Sequence, residues 1–383
     1  MKKLKCDALF VSDLHIGSNQ SQSDHLVPFL KRVKPKRLYI VGDAIDMWAI
    51  KYNAGVTYSY IQDIIDRAIE SARGDVFDLS VLGDKRLVKA SHLEALQYIF
   101  SMAEDGVQVV FVPGNHDIYF RKYDGFRHGK FSIANEAIYE TPAGKRFLVR
   151  HGDEFDTLLK AFSRLSDRTA CVEEIYSGTG RFLNAAFEVF RRRPHVQSRW
   201  SPQATLESAA TLLAAHMDFD VPKPTTRWHD HFSLAFTLEQ AFKERTGHDR
   251  TLKTLLLRHL FRENGKAFAC RAKGEDAPYL DGSISGHTHI SEALAVESPR
   301  TPSGHHIGPC HVTLLNDGSW ARGLPHIGRT ALLFDGKGRP SMVRWDKKKG
   351  IVPHQPHIFP FNTYPTLPCS GCGTEAKIIT ARP

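Results

Sequence analysis

Asp13 and His15 are the first residues in this chain whose types and spacing could hold a metal ion, within Val11-Ser12-Asp13-Leu14-His15-Ile16-Gly17. They follow the run Ala8-Leu9-Phe10-Val11, short and apolar as a buried strand is. Where that strand gives way to a glycine-containing loop, both side chains can turn toward one ion. A carboxylate is a hard oxygen donor and an imidazole a borderline nitrogen donor, a pairing that suits manganese, iron or zinc better than calcium. Alone, an Asp-x-His pair is common and says little.

Four more segments share its character: Gly42-Asp43, Gly114-Asn115-His116-Asp117, His151-Gly152-Asp153 and Gly286-His287-Thr288-His289. With the first they supply Asp, Asn and His side chains with metal-binding atoms. Two ions about 3.5–4 Å apart that share a carboxylate suit in-line displacement at phosphorus. The glycines let the backbone turn sharply beside such a centre. One segment of this kind reads as a solvated turn; five, each after a predicted strand, do not.

The elements that must deliver these residues are strands over 8–11, 37–41, 107–112 and 147–150. A helix is predicted over 24–32 and a longer helical region over 60–103, interrupted near Gly83. Strand–helix–strand alternation with polar residues at strand ends is the α/β pattern, in which ligands gather beyond the carboxyl ends of strands. From 156 to 277 the strand signal gives way to helical periodicity. It resumes at 283–286, followed by strands near 311–315, 330–334 and 342–345. The expected organisation is one discontinuous core (1–155 and 278–346), a helical insertion (156–277) and a Pro-rich extended tail (347–383).

The 51 Lys and Arg outnumber the 42 Asp and Glu, a net charge of +9 that favours an anionic partner: a phosphoester, a nucleic acid or an acidic membrane surface. No apolar run approaches the ~20 residues of a membrane-spanning helix. Met1-Lys2-Lys3 resembles the start of a signal peptide, but the apolar stretch behind it runs into Asp13 and His15, so the start is read as native cytoplasmic fold. Six cysteines, four of them widely scattered, do not make a disulfide framework.

The set of segments resembles the calcineurin-like metallophosphoesterase superfamily, whose blocks read D-x-H, G-D-x-x-D, G-N-H-D/E, H-G and G-H-x-H. The resemblance implies a four-layer αββα sandwich. It also implies two divalent ions, manganese first with iron or zinc as alternatives, and an anionic phosphoester substrate. Asp13, His15 and His289 would hold one ion and Asn115, His151 and His287 the other, with Asp43 bridging them. His116 would contact the scissile phosphate and stabilise or protonate the leaving oxygen. Asp46 would orient His116, or it is a helix N-cap.

Residues 12–18, 42–48 and 151–156, the helical insertion and Asn316-Asp317-Gly318-Ser319-Trp320 are similar to the UDP-2,3-diacylglucosamine diphosphatase branch. That branch works at the cytoplasmic membrane face, which implies a cytoplasmic protein reaching the inner leaflet peripherally. The branch's characterised lipid A enzymes carry Arg where this chain has His116. In the insertion, Leu252, Leu255, Leu256 and Leu260 form an apolar stripe beside Lys253, Arg258 and Arg262, and Phe182, Phe187 and Phe190 lie near Arg191-Arg192-Arg193. Such basic amphipathic helices suit a membrane surface or acyl chains, or simply pack on the core. The basic balance also fits a nuclease or general phosphodiesterase; a non-catalytic scaffold ranks last because every ligand is kept. In the tail, His354-x-x-His357 and Cys369-x-x-Cys372 offer the pairs of a structural zinc site, or reduced cysteines on a mobile arm.

Overall fold

The computed structural model describes residues 3–73, 87–155, 252–289, 291–321 and 328–356, together with three short strands beyond them. The chain divides into two compact units: Met1–His151 with Leu257–Arg322 and Ile327–Pro383, and Gly152–Leu256 with Gly323–His326. Most of the expected insertion, residues 156–251, lies outside the described residues, and so do His357, Cys369 and Cys372.

The larger unit carries two sheets. The first has eight strands in the order β13-β12-β11-β1-β2-β3-β5-β4. Here β1 is Leu4–Val11, β2 Val33–Val41, β3 Gln108–Val112, β4 Arg127–His128, β5 Phe131–Ile133, β11 Thr330–Phe334, β12 Pro340–Asp346 and β13 Gly350–Pro353. The second runs β16-β9-β10-β8-β7-β6. It comprises β6 Ala137–Glu140, β7 Arg146–Val149, β8 Gly282–Ser285, β9 Ser291–Glu297, β10 His311–Asp317 and β16 Ile378–Ile379. The remaining strands, β14 Leu367–Pro368 and β15 Glu375–Ala376, pair with each other.

Alternation along the central strands builds two cores, because successive side chains leave a strand on opposite faces. Leu9, Val11, Leu38, Ile40, Val109 and Phe111 face one way. They meet helices α1 (Ser23–Leu30), α3 (Tyr58–Arg73) and α4 (Ala90–Glu104) through Leu26, Phe29, Ile61, Ile65, Ala95 and Ile99. Ala8, Phe10, Tyr39, Val41, Val110 and Val112 face the other way, onto Tyr139, Phe147, Val149, Ile284 and Leu315 of the second sheet. Phe10 stacks on Tyr39 at 4.7 Å between ring centroids and meets Tyr139 edge-on at 5.2 Å. Beside the second sheet, Asn264 of α5 (Leu252–Ala272) exchanges two hydrogen bonds with the backbone of Leu280, at 2.8 and 2.9 Å. This is the α/β sandwich of two sheets and flanking helices expected from the sequence.

Parallel pairing aims the strands at one rim. β1, β2 and β3 run parallel in the first sheet, as do β7, β8 and β10 in the second. Each sequence segment singled out for its donors therefore begins where one of these strands ends. β9 was not expected: Ser-Glu-Ala-Leu-Ala-Val-Glu is alanine-rich and bounded by acids, a weak strand signal that pairing with β10 overrides. The tail, expected as an extended arm, begins with a paired strand, β13, and β16 adds to the edge of β9. In α5 the stripe residues Leu256 and Leu260 are buried, so at these positions it packs inward.

The loop after β1 is pinned from outside by α4. His92 is buried and its Nδ1 accepts the Gly17 N–H at 3.0 Å, so its ring is neutral. Burial, helped by the nearby Lys89 charge, lowers its pKa from 6.5 to about 4. A depressed histidine leaves the unfolded chain binding the extra proton between these values, so stability is intact above 6.5 and falls as pH drops toward 4. Chemical denaturation across that window should show wild type losing on the order of 2–3 kcal/mol more than His92→Gln, whose amide oxygen keeps the bond but cannot titrate.

Candidate metal centre

The loops at the rim are joined to one another through their backbones. Asp13, His15 and Ile16 donate N–H to the carbonyls of Gly42, Asp43 and Ala44 at 3.1, 2.9 and 2.9 Å. Gly286 N–H reaches His151 O at 3.1 Å, and Trp320 N–H lies 3.3 and 3.2 Å from the carbonyls of Ser12 and Asp13. Side chains add further ties. His116 N–H donates to Asp43 Oδ1 at 2.8 Å, and His287 N–H to Asp13 Oδ2 at 3.2 Å. Six segments distant in sequence are thus held together.

Three overlapping groups result: Asp13, His15 and His289; His15, Asp43 and His116; Asp13, Asp43 and His151. In each, one ligand atom per residue lies within 4.8 Å of the others. His287 joins them through its ring, 5.2 Å from that of His151. Asn115 flanks them with a buried Oδ1 that has no hydrogen-bond partner among the described residues. The structure therefore gathers Asp13, His15, Asp43, His116, His151 and His289.

The histidines are oriented from behind. His151 Nδ1 is 2.8 Å from the Val41 carbonyl, and His15 Nδ1 is 3.1 Å from Asp46 Oδ2. A carbonyl and an ionised carboxylate can only accept, so each neutral ring carries its hydrogen on Nδ1 and turns the Nε2 lone pair inward. There His151 Nε2 is 3.3 Å from Asp43 Oδ2, and His15 Nε2 is 3.9 Å from the same oxygen. His289 Nε2 lies 3.1 Å from Asp13 Oδ1 and 3.3 Å from His15 Nε2. Lone pairs and carboxylates converging at these distances repel unless positive charge lies among them.

Asp46 is the helix N-cap, and it also lies beside His116. It caps α2 (Met47–Ala54), Oδ1 accepting Ala49 N–H at 2.8 Å, and the same oxygen is 3.2 Å from His116 Nδ1. Sequence reasoning missed Asp117. Fully buried, it accepts Gly114 N–H at 2.6 Å and Ile45 N–H at 3.1 Å, locking the loop after β3 onto the loop after β2. Asn316–Trp320 stood out by resemblance but was given no role: Asn316 Nδ2 donates to Gly286 O at 2.6 Å and Thr288 Oγ1 at 3.1 Å, and Ser319 Oγ is 3.3 Å from His289 Nδ1. Their partners lie in segments that the sequence places far away.

Burial opposes ionisation of Asp43, yet His151, His116 and His15 hold its carboxyl well below the usual range. Burial likewise opposes the lowered pKa of Asp13, which His289 and His151 bring about, and that of Asp46, brought about by His116 and His15. Asp117 goes the other way: burial and the Asp43 charge raise it to about 7.

The backbone is bent to suit. Among the described residues six non-glycines have positive φ, and five of them are Asp13, His15, Asp43, His287 and His289, at +45° to +69°. Such conformations each cost of order 1–3 kcal/mol and persist where surrounding structure imposes them. A Cβ on Gly42 would lie 2.0 Å from His151 Nδ1, on Gly114 2.3 Å from Asp43 Oδ1, and on Gly286 2.7 Å from Asp13 Oδ2. The orphaned Asn115 oxygen, the inward lone pairs and the mixed oxygen and nitrogen donors all fit divalent transition-metal ions.

An α/β sandwich with a His/Asp centre at one rim is the architecture of a metal-dependent hydrolase. The family model for calcineurin-like phosphoesterases matches residues 8–291, and the chain belongs to that family. Family and donor cluster together support a metal-dependent phosphoesterase. Among curated proteins no match is found. Among the described residues no helix is long and apolar enough to cross a membrane.

Gly42→Ala should displace the His151 ring, since its Cβ would fall within 2.6 Å of three ring-side atoms at φ +82°. A metal titration of the folded variant should show affinity lowered at least about tenfold, as loss of ligand orientation does elsewhere.

Proposed function

We propose that this chain is a two-metal hydrolase of a phosphodiester or diphosphate bond, its substrate a nucleotide of the UDP-2,3-diacylglucosamine kind. One observation carries the reading. His116, with Nδ1 3.2 Å from Asp46 Oδ1 and its ring 4.6 Å from that of His15, sets a proton donor beside a cluster of inward-facing metal donors.

In this assignment Asp13, His15 and His289 would hold one ion, Asn115, His151 and His287 the other, and Asp43 both. Bound there, divalent ions, manganese first, would supply Lewis acidity toward the phosphoryl oxygen and toward water. Everything else falls to side chains. Burial alone would lower the pKa of His116, but the charges of Asp46 and Asp43 outweigh it and raise it to about 10 in the metal-free site. Asp46 Oδ1 lies 3.2 Å from Nδ1, so Nε2 is the nitrogen left to face the leaving oxygen. Asp117 holds the loop that carries His116 against the loop that carries Asp43. The substrate class follows the resemblance of residues 12–18, 42–48 and 151–156 to the diphosphatase branch, and the net charge of +9 suits an anionic nucleotide.

A manganese-supplemented panel of UDP-diacylglucosamine, aryl phosphodiesters, cyclic nucleotides and single-stranded DNA tests this reading. The diphosphate should turn over fastest. Preferred cleavage of DNA with salt-sensitive affinity would make the protein a nuclease instead, and two bound metals without turnover on any substrate would make it a scaffold. His116→Ala should lose roughly 10²–10⁴-fold in turnover while still binding two equivalents of manganese by calorimetry. Asp43→Ala should lose both turnover and metal.

A further inference from the structure

The turn after β10, from Asn316 to Trp320, touches the centre at more points than its place near the end of the core suggests. Ser319 is buried, and its Oγ has three neighbours: Ala321 N–H at 3.0 Å, the Asp13 carbonyl at 3.4 Å and His289 Nδ1 at 3.3 Å. A hydroxyl has one hydrogen and two lone pairs. Ala321 N–H occupies one lone pair. The Asp13 carbonyl can only accept, so it takes the hydrogen. All three contacts are hydrogen bonds only if the remaining lone pair faces His289 and its Nδ1 is the protonated nitrogen. Its Nε2 is then a bare lone pair, 3.1 Å from Asp13 Oδ1.

That outcome is contested. The Asp13 carboxylate would itself draw a hydrogen onto Nε2, giving the tautomer that cannot bind a metal through that atom. We infer that Ser319 is a positioning residue that settles this contest, holding His289 in the Nδ1–H tautomer and so keeping the metal site of Asp13, His15 and His289 competent. The inference rests on the two-metal reading above.

Asn316 supports the same arrangement. Its Oδ1 accepts Gly318 N–H at 2.9 Å while its amide holds Gly286 and Thr288, so the turn and the loop bearing His287 and His289 move as one piece. The other histidines are set differently, His15 by a carboxylate and His151 by the Val41 carbonyl. Loss of the Ser319 hydroxyl should therefore act on one metal site.

The test compares wild type with Ser319→Ala and Trp320→Phe. Trp320 is buried in the same turn and its side chain takes no part in the hydroxyl network, while its backbone N–H is kept in the variant, so the replacement loosens packing alone. Imidazole nitrogen NMR of the metal-free proteins at mildly alkaline pH should find His289 protonated on Nδ1 in wild type and in Trp320→Phe, and shifted toward Nε2–H in Ser319→Ala. Manganese titration should show two equivalents in wild type, with Ser319→Ala weakening one of them roughly 10–100-fold and leaving the other within about twofold. An unchanged tautomer with both affinities intact, or the same selective loss in Trp320→Phe, overturns the inference. Wild type binding fewer than two ions would instead sink the two-metal reading itself.

Discussion

Asp13, Asp43 and Asp46 stay ionised where water hardly reaches, and the rim of this molecule is built around that demand. An isolated carboxylate in such a place would neutralise itself, because burial penalises the charged form. Each is rescued by imidazole on one side and a backbone N–H on the other: His287 N–H on Asp13, His116 N–H on Asp43, Ala49 N–H on Asp46. The first two of these N–H groups come from loops that begin at other strands, the third from the helix that Asp46 caps. The charges can be kept only if the strands end together, so the parallel pairing of β1, β2 and β3 and of β7, β8 and β10 is as much an electrostatic requirement as a packing one.

The same demand accounts for the strained backbone. Left-handed non-glycine residues cost energy individually, yet here they fall on five of the seven sequence-predicted ligands. What holds them is the lattice of hydrogen bonds from loop to loop, with glycines wherever a side chain would collide with a ligand. The site is thus stiff before any ion arrives, and a preorganised donor set loses little freedom on binding one.

Much of this was legible from the chain alone, and the boundary is physical. Asp13, His15, Asp43, His116, His151 and His289 could be found because a donor directly after an apolar run has few other uses. The sandwich could be found because alternation along strands such as 37–41 and 107–112 is strong. Asp46 could be read two ways; the cap is seen, and the same short carboxylate lies near the His116 ring. Asp117 and Ser319 were given no role because most of their partners are main-chain atoms, which have no residue type to recognise. β9 escaped for a different reason: its strand character comes from its neighbours and not from its own residues.

The position of β11 has a further consequence, for synthesis. It lies beside β1 in the middle of the first sheet, although some three hundred residues separate the two in the chain. While the ribosome makes the intervening stretch, at roughly 5–20 residues per second, β1 has a bare edge facing the crowded cell for on the order of ten seconds or more. An unpaired hydrophobic strand is a template for wrong partners. A nascent chain stalled before Thr330 would carry a half-made sheet, a product better suited to chaperone or protease than to any substrate.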